Sequence, residues 1–142
     1  MDVSQVRRRV VAAVERARKD AQARRERAAA VDRAYEEFLA AVATPLVHTL
    51  ANVLKAEGHP FNVGTPGGSV RLVSDRRRDD YIELDLDRTA DPPEVIGRIN
   101  YTRGSRIVTE ERPVKAGASP QAITGEDVLD FLLAALTPWL ER

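Results

Sequence analysis

The chain contains no cysteine. Disulfides and thiolate metal sites are therefore excluded, and the composition suits a reducing compartment. Histidine is almost as scarce: His48 and His59 stand eleven residues apart, with a helix end between them. A metal pair on a helix needs the i, i+4 spacing. His59 beside Glu57 is the one remaining ligand pairing, and a solvated helix terminus is the plainer account of it. No G-x-S-x-G elbow is present, so seryl chemistry has no support either. Apolar runs stay short of the ~20 residues that span a bilayer. The opening "MDVSQVRRRVVAAVERARKD" lacks the apolar core of ~7–15 residues and the small-residue cleavage site of a signal peptide. These absences lead to the expectation of a cytoplasmic, single-domain protein without cofactor, metal or membrane contact.

Glycine is absent from Ser4 to Glu57, and Pro45 is the only proline there. Ala, Arg, Glu, Val and Leu dominate, which predicts one long helix. Asp2 or Ser4 caps its start and Gly58 its end. Val10, Val14, Ala17, Ala21, Arg24, Ala28, Val31, Tyr35, Phe38 and Val42 recur in steps of four and three. That is a heptad abcdefg with d at 10, 17, 24, 31 and 38 and a at 14, 21, 28, 35 and 42, the signature of a coiled coil. In a parallel dimer a g residue faces the e residue five positions on. Asp20 then meets Arg25 and Arg27 meets Asp32, both with opposite charge. The expected dimer seam is thus Val10, Val14, Ala17, Ala21, Ala28, Val31, Tyr35, Phe38 and Val42. Three of these are alanine and Arg24 interrupts them, so the same helix also suits a lone or partner-bound arm. Pro45 removes a backbone donor and predicts a kink that ends the coiled-coil portion. Val42, Leu46, Leu50, Val53 and Leu54 then carry the apolar face onward. Residues 1–43 form the expected arm and 44–142 a compact body, with a helix over 46–57, strands within 61–114 and a helix over 125–140.

Lys and Arg balance Asp and Glu at 22 each, but unevenly. Residues 1–34 hold ten cations against five acids, net +5, and the remainder twelve against seventeen, net −5. A basic arm on an acidic body suits nucleic acid, an acidic protein partner or a second copy. Arg7, Arg8, Arg9, Arg16, Arg18 and Lys19 are the candidate phosphate contacts. No aromatic residue precedes Tyr35, so base stacking has no residue to use there.

Beyond "AEGHP" the period falls to two. "FNV" and "SVRLVS" read as short strands or one interrupted strand. "YIELDLD" (81–87), "EVIGRINYT" (94–102) and "RIVTEERPV" (106–114) follow, separated by turn signals. Each has an apolar and a polar face, as in an antiparallel meander wet on one side. "VGTPGGSVRL" (63–72) resembles a phosphate cradle in composition. It leads into a strand, not a helix, and has no P-loop lysine, so it reads as a hairpin bend. Glu83, Asp85 and Asp87 share the wet face, the one arrangement here suited to a metal-dependent hydrolase or nuclease. "ITGEDVLDFLLAALTPWLER" starts with a Thr124 cap and is apolar nearly all round, as in a helix covered on two sides.

The expected fold is α+β: a long N-terminal helix kinked near Pro45, a three- to four-stranded antiparallel β-meander, and an apolar C-terminal helix on one face of the sheet. The expected function is that of a non-enzymatic homodimeric scaffold whose basic helix mediates self-association and partner contact. A nucleic-acid-binding, nucleoid-associated-like protein is the alternative, and the Glu83/Asp85/Asp87 hydrolase a third.

Overall fold

The structure is a computed structural model that describes residues 1–141. Helix α1 runs Val3–Phe38. The Asp2 carboxylate accepts from the Gln5 amide at 2.9 Å while the Gln5 side chain reaches back, a reciprocal cap. Leu39–Ala43 then form a single π-turn, in which the Thr44 N–H donates five residues back to the Leu39 carbonyl. Helix α2 continues from Thr44 to Ala56. It ends in a Schellman motif: the Gly58 and His59 amides donate to the Lys55 and Leu54 carbonyls, with Gly58 at φ 85°.

Proline at 45 therefore does not break the helix. The wide π-turn lies just before it, where a regular turn would set the proline ring against a carbonyl. That turn holds one extra residue, so the buried face resumes at Ala43, Val47, Leu50, Ala51 and Leu54 after Tyr35 and Phe38. The expected positions Val42 and Leu46 are only half-buried, and Val53 is exposed. Within the continuous helix Val3–Ala56, one stretch is long and apolar enough to cross a membrane by length and composition alone, and a third of it is buried inside the protein. This corrects the reading that no run approaches that length.

The sheet has five strands in sequential antiparallel order: β1 (Phe61–Gly64), β2 (Val70–Ser74), β3 (Tyr81–Asp87), β4 (Glu94–Arg103) and β5 (Arg106–Pro113). The count exceeds the expectation because the TPGGS bend separates two true strands, with Phe61 opposite Ser74 and Gly64 opposite Arg71. One face carries Phe61, Val70, Leu72, Ile82, Leu84, Leu86, Val95 and Ile99, all buried. Helix α2 packs over β1 and β2.

Helix α3 (Gly125–Ala135) lies on the same face, started by a Thr124–Asp127 capping box, and α4 (Thr137–Leu140) follows after Leu136. The stretch 125–140 is thus divided at Leu136, where Pro138 is expected to bend or end it. At Gly97 on β4 a methyl group would fall inside the Phe131 ring, so glycine is what lets α3 approach. Trp139 stands edge-on to Phe61 and Tyr101. Its indole N–H donates to buried Asp80 at 3.0 Å.

Candidate functional site

Helix α1 has two regimes. Through Ala30 its residues are exposed, apart from half-exposed Ala21 and Ala23. From Val31 onward it enters the core: Ala34, Tyr35 and Phe38 are buried, with Val31 and Val42 packed beside them. Four members of the expected seam, Val31, Tyr35, Phe38 and Val42, are therefore held by the chain's own body. The steps that suit a coiled coil suit a core helix equally, and here the chain's own core, with the Pro120–Ala122 turn beside it, covers them. Asp32 is also engaged at home, 3.2 Å from Arg88, so its expected partner Arg27 loses that acid. Val10, Val14, Ala17 and Ala28 remain open, as do the interrupting Arg24 and half-exposed Ala21.

The open part carries more apolar surface than the heptad alone indicates. Val3, Val6, Val10, Val11 and Val14 are 78%, 46%, 54%, 49% and 41% exposed. In the frame set by d at 10 they occupy d, g, d, e and a. Arg7, Arg8, Arg9, Arg16, Arg18 and Lys19 share this stretch, all exposed. None of them makes a salt bridge among the described residues; Arg8 Nε donates to the Ser4 carbonyl at 3.4 Å. Arm and body meet where the Tyr35 hydroxyl donates to the Gly68 carbonyl at 2.6 Å.

That contact closes the loop question. Gly68 has φ 80°, and the Ser69 amide and hydroxyl both donate to the Pro66 carbonyl at about 3 Å. The loop folds on itself, is pinned by Tyr35 and leads into β2.

The acidic trio on β3 is dispersed into local duties. Glu83 is buried between Arg71 and Arg98, accepts from the Ser69 hydroxyl, and Arg98 passes on to Glu111. Arg71, Glu83, Arg98 and Glu111 are direct cross-strand partners, so register alone builds this charge ladder. Asp85 accepts from the Leu86 amide, and Asp87 takes the Thr89 amide and hydroxyl, which together hold its carboxyl below the usual range. No group of three or more His, Asp or Glu among the described residues is placed to hold a metal ion. His48 is exposed on α2 and His59 follows the cap.

Sequence reasoning missed Asp80. It sits in the turn before β3, is 1% exposed and receives the Thr102 amide and hydroxyl at 2.9 Å besides Trp139. The available signal was a second acid directly before a strand in a chain with one tryptophan. A cleft of about 540 Å³ opens between β4–β5 and the C-terminal helices, with Arg103, Arg112, Glu110 and Glu141 on its walls. Compared with known proteins, the chain matches no described family, no curated protein and no solved structure.

Proposed function

We propose that this protein acts by binding: two copies pair in parallel through the exposed part of α1, and the paired arms present the bodies and the arginines to a partner. One observation carries the reading. All five exposed valines of α1 fall at a, d, e or g, including Val6 and Val11 on opposite flanks of the seam. In a parallel pair Val6 (g) faces Val11 (e) of the other copy, so both flanks are covered at once. A flat surface would reach one flank and leave the other in water.

The reading also bounds the strength of pairing. Four of the valines are about half exposed and Val3 more so, and burying each contributes roughly 1 kcal/mol. Association costs about 4–15 kcal/mol, and Arg7 and Arg24 occupy a and d. The dimer is accordingly weak, forming at micromolar concentrations or above. The acids of β3 are engaged in the fold, Glu83 by two arginines, Asp85 by the Leu86 amide and Asp87 by Thr89, and this favours binding over catalysis.

Sedimentation of the full chain over a concentration series is the test. A reversible monomer–dimer equilibrium is expected, abolished by Val10→Asp with the unfolding curve of the body unchanged. Orientation is read separately. The chain has no cysteine, so Val3→Cys places one thiol at a d position, and oxidation gives a covalent dimer only if the arms run parallel. A monomer persisting to hundreds of micromolar would end the proposal.

A further inference from the structure

The geometry points to a partner for the paired arms: the phosphate backbone of duplex nucleic acid. This deepens the preceding reading and rests on its paired helices. With the valines turned inward, Arg8 at b, Arg9 and Arg16 at c and Lys19 at f stand on the outer side, and Arg18 at e on the edge of the seam. Residues 7–19 hold six cations and one acid, Glu15, over about 18 Å of helix. Two such rows flank one axis in the dimer, and a duplex offers about one phosphate per 1.7 Å of its axis. The cations have no salt-bridge partner of their own among the described residues.

Three features select the duplex over other polyanions. Pairing leaves the arm no apolar face for a lipid surface. Residues 1–34 include no aromatic residue on which single-stranded bases could stack. The −5 charge of residues 35–142 holds the body away from phosphates, so contact is confined to the arms. Arginine and lysine contacts of this kind position without reading sequence. Binding is therefore sequence-independent and steeply weakened by salt. Arg7 lies in the seam, where its counterpart repels it. Phosphates nearby relieve that repulsion, so duplex binding and dimerisation reinforce each other.

The experiment titrates full-length protein into a labelled duplex of arbitrary sequence and follows anisotropy across salt concentrations. The single strand and phosphatidylserine vesicles serve as parallel probes. The duplex is expected to bind most tightly, losing about three orders of magnitude between 50 and 200 mM salt. Arg8→Gln/Arg9→Gln/Arg16→Gln is expected to flatten the log–log slope by about one per lost contact. These side chains make no contact in the core, so the variant keeps its fold and its dimer. The proposal is overturned by no duplex binding at low salt, by an unchanged slope in the triple variant, or by vesicles binding in place of the duplex. Sedimentation without nucleic acid keeps the two readings apart. A dimer that ignores the duplex defeats this inference alone, and a monomer that binds it defeats the pairing and leaves the phosphate contact standing.

Discussion

The Tyr35 hydroxyl is both a tie and a buried acid. Burial, with the carboxylates of Asp85 and Glu83 adding to it, pushes the phenol well above its ordinary value of about 10. The folded state favours the neutral form. Its contribution is fully present below the unfolded value and is lost as pH rises beyond it, where the unfolded chain ionises and the folded one does not. Melting curves from about pH 8 to pH 11 should show wild-type stability falling at the alkaline end. Tyr35→Phe should remove that part of the fall while costing about 1 kcal/mol at the lower pH through the lost bond to Gly68. An identical alkaline slope in both proteins would contradict the assignment. Glu83 supplies a second case. Strand alternation correctly placed it opposite Ile82 and Leu84 but gave no hint of its burial. The cover comes from Arg71 and Arg98 on two other strands, and only register brings them there. Glu83→Ala should cost about 2–3 kcal/mol in denaturant unfolding, somewhat less than a wholly buried pair because both arginines keep some solvent. Glu111→Ala, at the half-exposed end of the same ladder, should cost under about 1 kcal/mol. Equal losses would mean that burial is not what sets the value.

The join between α1 and α2 marks how far periodicity reaches at the level of elements. A long helix, a perturbation near Pro45, strands at 81–87, 94–102 and 106–114, each within one residue of the observed bounds, and a capped C-terminal helix all follow from spacing, caps and breakers. The phase beyond Pro45 does not. A π-turn takes up one residue without advancing the apolar face, and nothing in the composition of Leu39–Ala43 distinguishes it from an α-turn. Phe38 to Ala43 is a step of five, yet both sit in one core. Removing exposed Ala41 converts that step to four and leaves the faces aligned. The deletion of Ala41 combined with Pro45→Ala should thus fold with stability close to wild type, the regular turn now free of proline's clash. Deleting exposed His48 instead should turn the rest of α2 by about 100° and take Leu50, Ala51 and Leu54 off the sheet. Loss of cooperative unfolding is expected there, read by circular dichroism in urea. If both deletions behave alike, the π-turn is not the buffer described.

At the scale of the molecule, the charge split and the open valines make α1 a rod whose two ends answer to different partners. Its inner end was the hardest feature to place from sequence, because Tyr35 and Phe38 serve a seam and a core equally well. Only the sheet's unmet apolar face decides between them. The outer end touches almost nothing in its own chain, so removing residues 1–23 should change the body's unfolding free energy by no more than about 0.5 kcal/mol. That stretch has almost no tertiary contact to hold it, so its helix frays more readily than the anchored inner end. Its helicity depends on what it packs against. Far-ultraviolet circular dichroism of the intact protein should therefore gain helical signal as concentration rises through the dimerisation range. The version lacking residues 1–23 should give a concentration-independent spectrum and sediment as a monomer. If that version still dimerises, the contact lies elsewhere, and the exposed edge strand β5 is the surface left to carry it.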